Sequence, residues 1–219
     1  MTNKKTIYHF VVDQSGSMSG SEGPTIEGFN SQLKTIKKIK EEFPDNEYVV
    51  SVTYFEDEVT DVLKFASIEE VKMLSRENYN PDGLTALLDG IGHSIKAIRD
   101  RFENEIKADK ATVVLVILTD GGENASKYFE LKQVSRMIKE LDQSGKWTFS
   151  FLGADLDAVK ASADFNIRRE NIVSFSKKSY SSMMDQTNDS IMQYERRKAS
   201  GRYRSDLFDN IENKDQREE

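Results

Sequence analysis

The chain has 219 residues, a net charge of −7, two histidines and no cysteine. Lacking thiols, it forms no disulfide, thiolate zinc site, iron–sulfur cluster or cysteine nucleophile, and two histidines are too few for a multi-histidine zinc or copper site. The acidic balance makes nucleic-acid binding an unfavoured reading, and no apolar run approaches the ~20 residues of a membrane span.

Length and composition suit one domain with an appendage. The apolar stretch after the two N-terminal lysines stops at Asp13, too short for a secretory signal, so a cytoplasmic location is the expectation. Residues 7–12 read as a buried strand ending in the tight loop DQSGSMSG. Ile26, Phe29, Leu33, Ile36, Ile39 and Phe43 recur at helical spacing, and Pro44-Asp45-Asn46 ends that helix. Residues 48–55 and 59–65 are two β-rich runs joined by Glu56-Asp57-Glu58, which predicts an antiparallel hairpin. Residues 68–74 read as a short helix, 78–83 as a loop and 84–102 as a longer helix. The run TVVLVIL at 112–118 is the most apolar segment and suits a central strand covered on both faces. A helix over 128–141, a strand over 147–152, a short helix over 158–165, a strand over 172–175 and a helix over 180–197 complete the order. From Ala199 the apolar pattern fades into a mixed-charge segment, so the expected organisation is one domain over 1–198 and a flexible tail over 199–219.

Strands alternating with helices, with one hairpin exception, predict a doubly wound α/β sheet with helices on both faces. Ligands of such sheets sit beyond the carboxyl ends of the strands, where strand order reverses. The residues just after each strand are therefore the informative ones. Asp13-Gln14-Ser15-Gly16-Ser17 comes after the first, Asp82-Gly83-Leu84-Thr85 lies at the mouth of a helix, and Asp120-Gly121-Gly122 comes after the central strand. Two carboxylates and three hydroxyls thus fall on one predicted edge. Oxygen donors of this kind suit a hard cation, and the neutral hydroxyls leave it electrophilic. Gly16 permits a sharp turn that sets Ser15 and Ser17 on one side. His9 and His93 fall inside a strand and a helix and read as packing residues. Asp82 and Glu123 lie beside the site, either supporting it or, as the plainer reading, as solvated loop carboxylates. Asn124 or Ser126 is expected to cap the helix starting near 127, and Asp155 and Asp157 to do the same for theirs. Met183, Met184 and Met192 read as core filler.

The motif Asp-x-Ser-x-Ser after a buried first strand, a threonine before a helix and an aspartate after the central strand resembles the metal-ion-dependent adhesion site of the von Willebrand factor type A domain. The resemblance runs over about residues 6–195 and looks closest to short free-standing bacterial and phage domains, with GFNSQLK and FLGADLDA among the shared stretches. It implies a strand order of 3-2-1-4-5-6 with strand 3 antiparallel. It implies Mg²⁺, with Mn²⁺ or Ca²⁺ as alternatives, contacted by Ser15, Ser17 and Thr85 through their hydroxyls and by Asp13 and Asp120 directly or through water. A protein partner's Asp or Glu would complete the coordination, and the last helix would be able to slide. The implied function is metal-dependent protein binding without enzymatic turnover. A metal-dependent phosphoester hydrolase and a metal-independent scaffold are the alternatives. Against the hydrolase, the second acid that aspartyl-phosphate chemistry needs two residues after Asp13 is replaced by Ser15, and no GxxxxGK loop is present.

Overall fold

Runs of β-branched and aromatic residues, most of them too continuously apolar to face water, build the centre of the molecule. In the computed structural model, which describes residues 4–120, 122–153, 163–174, 180–201 and 207, they form six strands. These are β1 (Lys5–Asp13), β2 (Glu47–Phe55), β3 (Val59–Ser67), β4 (Ala111–Thr119), β5 (Trp147–Gly153) and β6 (Ile172–Ser174). The sheet order is β3-β2-β1-β4-β5-β6, parallel except for β3, which the hairpin turn returns antiparallel to β2. Four helices of the described residues flank it: α1 (Glu22–Glu42), α2 (Leu87–Lys107), α3 (Leu131–Gln143) and α4 (Tyr180–Ala199). None of the described helices is long and apolar enough to cross a membrane.

Alternation along the strands divides the core in two. Tyr8, Phe10 and Val12 of β1 face α1 and α4, packing with Phe29, Leu33, Ile36, Ile191 and Tyr194. Ile7 and Val11 face α2 and α3, packing with Leu88, Ile91, Ile95, Val134 and Ile138. Both faces of β1 and β4 are covered, as the apolarity of 112–118 requires.

Two expectations change. Residues 68–74 form a turn and an extended strap, not a helix. Ile68, Val71 and Leu74 do share a spacing of three and are all buried. The strap is held extended because Asn30 of α1 grips the backbone of Leu74 at both N–H and carbonyl, 2.8 and 2.9 Å. The third helix starts at Leu131, three residues later than its apolar pattern begins. The expected tail from Ala199 and the helix over 158–165 lie largely outside the described residues, as do Asp155, Asp157 and the side chains of Met183 and Met184. Where the segments are described, 163–165 is a single 3₁₀ turn, and Leu207 is fully buried with its N–H on Asn171 Oδ1 at 2.6 Å. Met192 packs against the core as filler.

Helix α2 approaches β2 and the loop after β4 closely because two of its residues lack a Cβ. A Cβ at Gly90 would lie 3.1 Å from the Phe55 ring, and one at Gly92 would run into the Phe129 ring. Gly92→Ala is therefore expected to displace Phe129 and its loop and to destabilise the protein by about 2 kcal/mol in urea unfolding, the usual cost of overpacking. Unchanged stability would mean that the loop yields freely.

At the opposite end of the sheet a buried ion pair anchors α4. Lys198, 3% exposed, donates to Glu195 Oε1 at 2.9 Å, to Thr112 Oγ1 at 3.2 Å and to Thr6 Oγ1. Thr6 and Thr112 are register partners on β1 and β4, and Tyr8 adds its hydroxyl to Glu195 at 2.8 Å. Burial pulls the Lys198 pKa down, and Glu195 opposes that pull. Lys198→Met should cost about 3–5 kcal/mol, because it strands a buried carboxylate. The double variant Lys198→Met/Glu195→Gln should recover most of that in the same unfolding assay. If it does not, packing around the lysine stem is the larger contribution.

Candidate metal centre

Parallel pairing brings the ends of β1 and β4 side by side, with Val12 opposite Leu118. Asp13 and Asp120, 107 positions apart in the chain, are therefore delivered to one edge. Asp13 is fully buried. Its Oδ1 accepts the Ser15 N–H at 2.8 Å and its Oδ2 accepts the Thr119 hydroxyl at 2.5 Å. Burial pushes its carboxyl up to about 6; the Ser15 and Thr119 hydrogen bonds pull it back, and the nearby Asp120 charge raises it further.

Residues Gly16–Met18 wind into one 3₁₀ turn. The two serines still converge, Ser15 Oγ lying 3.0 Å from Ser17 Oγ. Ser17, which faces solvent, donates to Asp120 Oδ1 at 2.7 Å. Asp13, Ser15, Ser17 and Asp120 thus form one continuous polar chain, from core to surface.

Thr85 is buried and reaches this cluster through its loop. Asp82 N–H donates to the Gln14 carbonyl at 2.8 Å, and Gly16 N–H to the Gly83 carbonyl at 3.0 Å. Gly16 is needed at this approach, since a Cβ there would sit 3.2 Å from that carbonyl, and Gly83 holds a left-handed φ of +75°. From the other side, Thr85 N–H donates to Asn124 Oδ1 at 2.8 Å, and its carbonyl accepts the N–H groups of Asn124 and Ala125 at 3.0 and 3.2 Å. The loop that carries Thr85 is thus held between the loops at the ends of β1 and β4.

The carboxylates beside the site have distinct fates. Asp82 is exposed and closes its own turn, accepting the Gly83 N–H at 2.8 Å. Glu123 is half-buried and does more than face water. Its Oε2 accepts the Leu88 N–H at 2.9 Å and the Ser126 hydroxyl at 2.7 Å; its Oε1 accepts the N–H groups of Ala125 and Ser126 at 3.0 and 2.7 Å. Asn124 and Ser126 do not cap α3. Asn124 holds Thr85, while Ser126 Oγ accepts the Asp89 N–H at 3.0 Å.

The reason lies in Ala86, which stands at the N-cap of α2 and has no oxygen to offer the helix's free donors. Glu123 and Ser126 supply that cap from a distant loop. Asp89, in the first turn of α2, returns the contact. Its carboxylate, 5% exposed, accepts the N–H groups of Lys127, Tyr128 and Phe129 at 2.7, 2.9 and 2.8 Å. Sequence reasoning missed Asp89. Its one signal was an acid buried by pattern in the first turn of an otherwise apolar helix face.

Among the described residues no cluster of three or more Asp, Glu, His or Cys forms a metal-binding group. The cluster at the strand ends instead joins two carboxylates to the hydroxyls of Ser15, Ser17 and Thr119. That donor set fits a hard divalent cation: a cation there would offset the raised proton affinity of Asp13, whose charge is now met only by hydroxyl and amide donors.

Fold and site together define a doubly wound α/β domain with an oxygen-rich loop cluster at its switch point. The chain belongs to the von Willebrand factor type A domain family, whose sequence model matches residues 9–194. Three solved structures illustrate the likeness. A von Willebrand factor type A protein from Catenulispora acidiphila is 13% identical, with a TM-score of 0.57 over 86% of this chain and 43% of its own. Proximal thread matrix protein 1 from the mussel byssus, solved with a zinc-occupied MIDAS motif, is 17% identical with a TM-score of 0.57 over 88% of this chain and 47% of its own. The pilus adhesin SpaC from Lactobacillus rhamnosus GG, in an open conformation, is 11% identical with a TM-score of 0.60 over 88% and 30%. At these identities the likeness is one of fold. This chain spans less than half the length of each of the three. No curated protein sequence matches it.

Proposed function

We propose that this domain is a divalent-cation-dependent protein-binding module built on a metal-ion-dependent adhesion site. The observation that carries the reading is the polar chain from buried Asp13 through Ser15 and Ser17 to Asp120, with Thr85 clasped beside it. Ser15, Ser17 and Thr85 would hold the cation by their hydroxyls, and Asp13 and Asp120 directly or through water. The hard oxygen donors favour Mg²⁺, with Mn²⁺ or Ca²⁺ as substitutes; the zinc in the mussel protein belongs to that protein. A bound cation supplies a positive charge that two carboxylates and three neutral hydroxyls leave open to one more anion. An Asp or Glu carboxylate of a partner protein fits that position. Exposed Ser17 lies at the open side, where such a carboxylate enters. The buried side is closed by Thr119 and by Tyr79, whose hydroxyl fixes the Asp13 carbonyl at 2.6 Å. No step in this reading transforms the partner chemically.

The test is calorimetric titration of Mg²⁺ and Mn²⁺ into the metal-free protein and into Asp120→Ala. One site in the parent, lost or weakened at least tenfold in the variant, is the expected result. No binding at millimolar cation, or equal binding by both proteins, would overturn the reading.

A further inference from the structure

The loop that carries Thr85 contains a reactive peptide bond that the metal reading does not use. Asp-Gly occurs three times in the chain, at 82–83, 89–90 and 120–121. Gly121 lies outside the described residues, and the other two pairs have opposite surroundings. An aspartyl carboxyl can be attacked by the backbone nitrogen of the next residue. Glycine leaves that nitrogen least shielded, because it has no side chain.

Asp89 and Gly90 are protected. The Asp89 carboxylate is 5% exposed and accepts three backbone N–H groups, and the Gly90 N–H is committed to the Ala86 carbonyl at 3.0 Å inside α2. Asp82 and Gly83 face water, and Leu84 after them is 53% exposed. Asp82 Oδ1 accepts the Gly83 N–H at 2.8 Å, which holds the carboxyl group against the nitrogen that attacks it. The fold also forbids a less reactive residue at 83. Gly83 keeps a φ of +75°, and a Cβ on it would lie 2.7 Å from Asp57 Oδ2 and 3.3 Å from Glu56 Oε2. Closing an imide at Asp82 takes one negative charge out of a corner that holds those two carboxylates, and like charges repel.

We propose that Asp82 is a site of spontaneous isomerisation to isoaspartate, and that this modification releases the Thr85 loop. The Gly83 nitrogen attacks Cγ of the protonated Asp82 carboxyl. The N–Cγ bond forms, the Cγ–OH bond breaks, and the hydroxyl leaves as water with the amide proton. Water then reopens the five-membered imide. Addition at Cγ restores aspartate. Addition at the main-chain carbonyl breaks the original peptide bond and leaves the chain running through Cγ. The product is an isomer of the starting chain, with nothing oxidised or reduced.

The new path adds one carbon, about 1.5 Å of bond, between Asp82 and Gly83. These two residues make the paired contacts to the β1 loop: Asp82 N–H to the Gln14 carbonyl at 2.8 Å, and Gly16 N–H to the Gly83 carbonyl at 3.0 Å. Such bonds hold only over about 2.7–3.2 Å, so the added length cannot leave both in place. Thr85 follows two residues later, and loss of cation affinity is the functional consequence. That consequence rests on the metal-dependent reading; the isomerisation does not.

The test holds the full-length protein warm in EDTA at neutral pH for several weeks. A synthetic peptide of residues 78–94, which contains both described Asp-Gly pairs without the fold, is treated alongside. Isoaspartate is located by peptide mapping and quantified by methyl transfer with protein L-isoaspartyl methyltransferase. Positions 82 and 89 should react at similar rates in the peptide, and position 82 at least tenfold faster than 89 in the protein. In the isomerised fraction, amide exchange at Gly16 should rise about tenfold and Mn²⁺ affinity fall about tenfold. Aged Asp82→Glu, whose six-membered imide forms far more slowly, should match its own fresh control in both. Repair with the methyltransferase and S-adenosylmethionine should restore the parent. A protein that keeps aspartate at 82 while the peptide reacts overturns the proposal. So does equal reaction at 82 and 89 in the protein, or isoaspartate at 82 with Gly16 exchange unchanged. Fresh protein that binds no Mn²⁺ removes the metal reading, and the mapping and Gly16 exchange then decide the modification by themselves.

Discussion

Asp13→Asn is expected to abolish divalent-cation binding while raising the stability of the metal-free protein at pH 7. The carboxyl is fully buried and its pKa is pushed up to about 6, from 3.8 for an unperturbed group. A folded state that holds its proton more tightly than the unfolded chain loses stability as pH rises from about 4 to about 6, and the full penalty stands above that. At 1.36 kcal/mol per pKa unit the penalty is about 3 kcal/mol, part of which the amide gives back through weaker bonds to Ser15 and Thr119. The variant's melting temperature in EDTA should exceed the parent's by on the order of 5 °C at pH 7, and the gap should narrow as pH falls from about 6 toward about 4. Saturating Mg²⁺ should reverse the ranking, because only the parent gains from it. Cation affinity of the parent should itself weaken below about pH 6, where proton and cation compete for one carboxylate. A variant less stable than the parent in EDTA at pH 7 would make Asp13 a structural residue and defeat the prediction.

Asp89→Ala carries the second large effect. The change deletes the acceptor of three charge-assisted hydrogen bonds and leaves the donors of residues 127–129 without it. Bonds of this kind contribute about 1.5–3 kcal/mol each and do not add simply, so a loss of about 3–4 kcal/mol is expected in urea unfolding. Amide hydrogen exchange should accelerate at residues 127–129 in particular. Because the same loop holds Thr85 through Asn124 and Ala125, Mn²⁺ affinity should fall about tenfold. Asp89→Asn should be intermediate, since its amide oxygen can still accept from Tyr128 and Phe129. Lower stability with unchanged Mn²⁺ affinity would show that Thr85 is positioned independently of the loop.

Both predictions concern one edge of the sheet, and the two residues differ in how readable they were. Asp13 announces itself: a carboxylate directly after a buried strand, with serines two and four positions on, has no packing role to explain it. Asp89 sits three residues into a helix on an apolar face and resembles an ordinary first-turn acid. Its function depends on a loop 38–40 positions further along the chain, which no local pattern reveals. Glu123 was read as a solvated carboxylate for the same reason. Its partner Leu88 becomes needy only because Ala86 leaves the helix start uncapped. The strap at 68–74 was misread because a spacing of three on one buried face suits either a helix or a chain laid across a core, and only the grip of Asn30 on Leu74 decides between them.

By itself the sequence determined the doubly wound class, the antiparallel hairpin and the residues placed at the strand ends. These arise from local periodicity and from turn chemistry, which act over a few residues. The tertiary structure alone decided that the loop of Thr85 is held from two sides, that Asp89 and Glu123 exchange caps between α2 and the β4 loop, and that Lys198 and Glu195 bury an ion pair against Thr6 and Thr112. Those outcomes rest on backbone donors and buried charges finding partners across long sequence separations. Desolvation makes such partners necessary, and only the packed geometry says which group provides them.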